Sequence, residues 1–325
     1  MKKNYIPTIN ISALLSGNFK NKKEMKILKE IEKASINVGF FQIVGHGISK
    51  KSIKDITAVG KNFFASTKLN KMKLAPKKWN KSNKNLYRGY FPNDVNGKEG
   101  LDIGDLKVSK KYASKINNQY IEYLNLNKSL SKSSINVLKD YYDEIFNLGE
   151  TLFKSIIKIY NLDIRNSKVA FKRQKTLSTL RFNYYPNQSK PVEISKQDGV
   201  ALGCETHVDS GIFTILYQDK KGGLQVQNRH TLEWHDVPHD PNAYVVNSGL
   251  ALEYLTNGKM KATNHRVLFN QEERISIPFF FEPSYDFKLD PKYLEIVEDQ
   301  KYDIDNYEDF LTNSLKKFVE YDRPN

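Results

Sequence analysis

The sequence predicts a mainly β fold with helices: a sandwich or jelly-roll core, a helical N-terminal region before it and a C-terminal helix after it. Three observations lead there. Before about residue 176 the apolar positions recur at helical spacing, and after it they recur at every second residue. The strands defined by that alternation are short, at 179–185, 203–209, 212–218, 223–227, 243–248, 264–269 and 274–281, and Gly, Asn, Asp and Pro turns separate them. The final stretch, 286–325, is charged and ends in a helical pattern around residues 307–321.

Taken in order, residues 6–11 read as a strand and 18–21 as a loop. Leu28, Ile31, Ser35 and Val38 then mark a helix beginning near Met25, which Gly39 ends. Phe40-Phe41-Gln42-Ile43-Val44 is a short buried strand, and Gly45-His46-Gly47 is a turn whose histidine reads as structural. Ile53, Ile56, Val59 and Phe63 define a second helix. Residues 66–100 are polar and turn-rich, and 102–106 form another short strand. Ile135, Leu138, Tyr142, Ile145, Leu148, Leu152, Ile156 and Ile159 lie along one amphipathic helix. The expected divisions are 1–115 as an N-terminal mixed region, 116–175 as a long bracing helix, 176–284 as the β core and 285–325 as a helical tail.

Composition narrows the class. One cysteine, Cys204, among 325 residues allows no internal disulfide and fits a reducing, cytoplasmic setting. No apolar run approaches the ~18 residues of a membrane span, and the first residues lack the apolar stretch of a secretion signal. The net charge of +14 is confined to one end. Residues 1–84 hold 19 Lys against four acids, whereas the remainder holds 32 basic and 33 acidic residues. These lysines are interleaved with Asn, Ser and Ile, and the first arginine is Arg88, so the excess reads as a solvated face rather than a nucleic-acid footprint.

The chemistry lies in the alternating part. His207 and Asp209 are two apart on an expected strand and so share a face. With His265 they would set two imidazole nitrogens and one carboxylate oxygen on one side of a metal. That donor set suits non-haem Fe(II) and leaves three positions open. A two-ligand halogenating site would lack Asp209. Arg274 and Ser276 again share a face, and a guanidinium fork beside a hydroxyl suits a carboxylate. They are expected to hold the far end of a diacid whose near end reaches the metal.

With Asn183-Tyr184-Tyr185-Pro186 upstream, the order Asn-x-Tyr, His-x-Asp, His, Arg-x-Ser resembles the isopenicillin N synthase-like branch of the Fe(II)/2-oxoglutarate-dependent dioxygenases. The likeness runs from Ile6-Pro7-Thr8-Ile9 to Pro278-Phe279-Phe280-Phe281-Glu282-Pro283. It implies a double-stranded β-helix, cupin-like core braced by the long helix. It implies Fe(II), O2 and 2-oxoglutarate, with ascorbate as an accessory reductant, and it gives Tyr185 and Asn183 a part in binding 2-oxoglutarate. Release of succinate and CO2 would accompany hydroxylation, desaturation or oxidative cyclisation. Isopenicillin N synthase itself uses no 2-oxoglutarate, so an oxidase of that kind, or an ethylene-forming one, stays open. So does a non-catalytic cupin-like binding module, and nucleic-acid demethylation is a third class. One departure stands out: Asn247-Ser248-Gly249 is followed by Leu250, where the family usually has an acid.

Three residues are expected at the substrate. Arg88 lies in Tyr87-Arg88-Gly89-Tyr90-Phe91-Pro92, a loop that borders the active-site mouth in the resembled family. Arg181 alternates with Asn183 and Tyr185, and Phe280 with Arg274 and Ser276. Two converging cations suggest a small carboxylated substrate, an amino acid derivative or natural product. The expected state is a monomer, with no nucleic-acid or membrane partner. Cys204 is expected to alternate away from His207 as a structural thiol, and His230, His235 and His239 to be solvated loop residues.

Overall fold

The computed structural model describes residues 5–316, apart from 18, 94–96, 117, 119, 161–169, 192, 295–298, 300 and 304–305. The N-terminal elements are β1 (Thr8–Asn10), α1 (Lys22–Asn37), β2 (Phe40–Val44), α2 (Lys50–Phe64), α3 (Lys68–Met72), β3 (Gly89–Phe91), β4 (Glu99–Ile103), α4 (Lys110–Ala113) and α5 (Lys132–Ile159). The core adds β5 (Thr179–Tyr185), β6 (Leu202–His207), β7 (Phe213–Gln218), β8 (Leu224–Gln227), β9 (Trp234–Asp236), β10 (Tyr244–Ser248), α6 (Leu250–Leu255), β11 (His265–Leu268), β12 (Arg274–Phe281) and α7 (Tyr307–Leu315).

Two sheets form the jelly roll. One has eight strands in the order β1-β2-β10-β7-β12-β5-β4-β3, and the other has four in the order β6-β11-β8-β9. The large sheet is two-faced because its strands alternate. Leu180, Phe182, Ile215, Val246, Ile275, Ile277, Phe279 and Phe281 point to the helices. Phe40, Tyr185 and Val245 point instead toward the small sheet, where they meet Leu224, Val226 and Val267. The polar inner positions lie among these last residues, so the sandwich interior holds the candidate chemistry.

The helices brace the outer face. Asn21 caps α1 and Glu24 reaches back to it in a capping box. In α5, Tyr142 and Phe146 pack edge-on against Phe279 and Phe281, with ring centroids 5.2 and 5.5 Å apart. Gly149 lets the helix approach the sheet: a Cβ there would lie 2.5 Å from the Phe281 ring.

Several expectations shift. In the N-terminal region, β1 to β4 all join the large sheet. Within 116–175 the long helix occupies only Lys132–Ile159. The strand expected at 102–106 is Glu99–Ile103, and 66–100 contains α3 and β3. β9 and α6 had too few periodic residues to stand out. The C-terminal helix is described through Leu315, and residues 317–325 lie outside the described residues.

Substituting Gly149→Ala adds up to ~1 kcal/mol of helix propensity but overpacks the interface with Phe281, at a cost of ~1–3 kcal/mol. The melting temperature is expected to fall. A rise would show that α5 does not depend on this close approach.

Candidate metal centre

His207 ends β6 and His265 begins β11, and the two are direct cross-strand partners. Asp209 lies just beyond the strand that was expected to carry it. Its loop is fixed by the start of α6, where Leu250 N–H donates to the Asp209 carbonyl at 2.8 Å and Ala251 N–H to Ser210 at 3.0 Å. The family's acid after Gly249 is thus replaced by a residue that contributes here through its backbone.

The side chains converge through their neighbours. His207 Nδ1 meets the Glu205 carbonyl at 2.6 Å, and His265 Nδ1 meets the Thr263 carbonyl at 3.2 Å. Each contact uses Nδ1 as donor and leaves Nε2 as the ligating nitrogen. Asp209 Oδ2 accepts from Thr214 Oγ1 at 2.5 Å and from Asn247 Nδ2 at 2.8 Å. Its Oδ1 faces both imidazoles, 3.5 Å from His207 Nε2 and 3.6 Å from His265 Nε2. One ligand atom from each residue lies within 4.8 Å of the others, the only such group of three among the described residues. Two neutral nitrogens and one carboxylate oxygen, each with its second heteroatom already bonded, fit a divalent iron.

The electrostatics agree. Burial opposes the charge on Asp209, but both imidazoles hold its carboxyl well below the usual carboxylate range. His265 is pulled down to about 4 by burial and by His207. Burial also opposes His207, yet Cys204 and Asp209 push it up to about 9. The raised His207 makes cation binding at this group compete with a proton.

The residues expected to hold a carboxylate share the inner face. Ser276 pairs with Asn183 and Arg274 with Tyr185 across β12 and β5. Arg274 is 1 % exposed. It donates to the Gly222 carbonyl at 2.7 Å and to Ser276 Oγ at 3.2 Å, and its guanidinium stacks 4.8 Å from the Tyr185 ring centroid. It makes no ion pair among the described residues. Asn183 Oδ1 is buried without a hydrogen bond.

The chain matches the profile of the 2OG-Fe(II) oxygenase superfamily over residues 176–283, and that of the non-haem dioxygenase in morphine synthesis N-terminal region over 6–128. A 2-oxoglutarate-dependent dioxygenase of Didymella fabae is 30 % identical over 308 residues, 88 % of this chain and 87 % of that protein. The chain belongs to the 2OG-Fe(II) oxygenase superfamily. Isopenicillin N synthase of Penicillium chrysogenum is 28 % identical and covers 97 % of the chain and 96 % of itself. The structure of the dioxygenase for auxin oxidation 1 from Arabidopsis thaliana, solved with 2-oxoglutarate, has the same fold. Its TM-score is 0.69 at 23 % identity, over 90 % of this chain and 98 % of that one. This oxygenase is therefore a non-haem Fe(II)/2-oxoglutarate-dependent dioxygenase, with those two cofactors.

The residues expected at the substrate divide. Phe280 is half-buried on the inner face, between Thr214 on β7 and Thr179 on β5. Arg181 does not offer a spare cation, because Asp102 on β4 takes it bidentately at 2.6 and 3.0 Å. Arg88 is not in an open mouth. Glu122 gathers the backbone N–H groups of Tyr87 and Arg88, and the guanidinium, 2 % exposed, donates to the Leu177 and Ser178 carbonyls. Cys204 does not alternate away from His207. A bulge sets two residues of β6, Glu205 and Thr206, against one of β11, Arg266, so Cys204 faces inward opposite Val267, and Lys98 Nζ lies 3.1 Å from its sulfur. His235 is on β9, stacked 4.1 Å from Tyr5, rather than solvated.

Sequence reasoning missed Thr214, Asn247 and Glu282. The last is 4 % exposed just beyond β12, and burial pushes its carboxyl up to about 8 against the opposing pull of Arg88 and of the Tyr307 hydroxyl, with Asp102 and Asp209 adding to the rise. A folded pKa above the unfolded value stabilises at low pH and loses that contribution as pH rises through 8. Glu282→Gln should therefore match the wild type near pH 5 and exceed it above pH 8, by on the order of a few kcal/mol. Parallel melting curves of the two proteins across that range would contradict the burial of an ionisable Glu282.

Proposed function

We propose that this oxygenase holds Fe(II) through His207 Nε2, His265 Nε2 and Asp209 Oδ1, and 2-oxoglutarate against Arg274 and Ser276. Tyr185 and Asn183 flank the co-substrate, and a small organic molecule lies over Phe280. The observation that carries the assignment is Arg274, buried on the inner face with no acid paired to it among the described residues. A buried guanidinium without an anion is expensive, and the second carboxylate of 2-oxoglutarate supplies the missing charge. Ser276, hydrogen-bonded to the same guanidinium, fixes the fork.

When bound, Fe(II) supplies the one-electron chemistry by which O2 and 2-oxoglutarate, yielding succinate and CO2, oxidise a substrate C–H bond. The protein's own work is to orient and exclude. Backbone carbonyls of Glu205 and Thr263 aim the two imidazoles. Phe40, edge-on to His265 at 5.2 Å, shields one side, and Phe280 offers an apolar surface to the substrate. The substrate is a small amino-acid-derived or natural-product molecule, which the names of relatives such as isopenicillin N synthase support. The outcome is hydroxylation, desaturation or cyclisation. In this proposal the chain acts as a cytoplasmic monomer, without nucleic acid or membrane.

Arg274→Leu should weaken 2-oxoglutarate binding by about 2–5 kcal/mol, read anaerobically with Fe(II) present, and should cut succinate release accordingly. Unchanged 2-oxoglutarate dependence would refute the assignment. Substrate oxidation without succinate would instead favour an isopenicillin N synthase-type oxidase.

A further inference from the structure

The strand register leads from the metal centre to a second polar group. Thr214, which donates to Asp209, is the cross-strand partner of Phe280, and Phe280 is in turn the partner of Thr179. Two strand spacings separate Thr214 from Thr179, roughly 10 Å. At the far end, Arg88 Nη2 lies 3.4 Å from Thr179 Oγ1. Glu282 extends the inner face of β12 by one alternation beyond Phe280 and rests against Gly211, where a Cβ would come within 3.2 Å of its Cγ. Tyr307, the first residue of α7, sets its hydroxyl beside the Glu282 carboxyl.

The Tyr307 hydroxyl lies near enough to the Glu282 carboxyl to favour its charged form. Even so, Arg88 Nε, Glu282 Oε2 and Tyr307 Oη are each buried without a partner of good hydrogen-bond geometry. Arg88 and Glu282 influence each other electrostatically, yet no ion pair joins them among the described residues. Unsatisfied buried polar atoms are uncommon, and each one left so costs free energy. Arg181 and Asp102 nearby cancel each other, so the open valences belong to a donor on one side and an acceptor on the other.

We propose that Arg88, Glu282 and Tyr307 form a head-group subsite for substrates whose polar end carries an N–H or ammonium group next to a carbonyl or carboxylate oxygen. Glu282 takes the nitrogen; Arg88 and Tyr307 take the oxygen. Phe280, one alternation before Glu282 on β12 and opposite Thr214, packs on the apolar part of the substrate. The subsite rests on the barrel centre being the oxygenase site, and it gives that site its substrate class.

The test uses the wild type, Glu282→Gln and Tyr307→Phe, each loaded anaerobically with Fe(II) and 2-oxoglutarate. Calorimetry measures the binding of L-norleucine, its methyl ester and hexanoate, and 2-oxoglutarate binding is measured separately. The wild type should prefer L-norleucine to hexanoate by about tenfold or more, as expected for a charged hydrogen bond. Glu282→Gln should erase that preference while 2-oxoglutarate binds as before, and Tyr307→Phe should weaken L-norleucine more than its ester. Equal binding of hexanoate and L-norleucine, no binding of any of the three, or a preference that survives Glu282→Gln would overturn the subsite. Loss of 2-oxoglutarate binding by the wild type would overturn the reading of the barrel centre instead.

Discussion

The structure turns on how the Asp209 carboxylate is divided. Thr214 and Asn247 occupy Oδ2, so Oδ1 alone faces the two imidazoles. Those donors come from adjacent strands, β7 and β10, where Asn247 pairs with Thr214. The loop carrying Asp209 is in turn pinned to the first turn of α6. The ligand geometry therefore requires three elements distant in sequence to be in register, and the helices packed on the outer face keep them there.

The two faces of the large sheet divide the labour. The outer face is continuous aromatic and aliphatic packing against α2 and α5, which favours a rigid sheet. The inner face holds what apolar packing cannot explain: a metal-ligand cluster, an arginine without an acid among the described residues, and a glutamate beside an arginine it does not pair with. Buried charge is costly unless compensated. The metal-ligand candidates and Arg274 lie on one surface, in line with the register of β5, β12 and β7.

Much of this was legible in the sequence, because alternation along 179–185 and 274–281 sorts residues onto faces before any partner is known. His207 with Asp209 emerged from spacing, His265 joined them from a distant expected strand, and Arg274 with Ser276 came from the same period of two. What stayed hidden depended on pairing between strands. Arg181 alternates inward as expected, but only the β4–β5 register brings Asp102 to it. Cys204 was misplaced because a bulge breaks the alternation within β6. Thr214 and Asn247 are ordinary strand residues until the sheet order puts them beside Asp209. Glu282 lies one alternation beyond Phe280, just past the end of its strand, and only the fold brings Arg88 and Tyr307 near it.

The central claim is that Thr214 and Asn247 hold Asp209 in a metal-binding orientation. The direct measurement is anaerobic Fe(II) affinity of the wild type against the Thr214→Val/Asn247→Ala double variant, with folding checked by circular dichroism. A folded variant should lose about 10–100-fold or more in affinity, as for other residues that orient metal ligands. Wild-type affinity in a folded double variant would contradict the account.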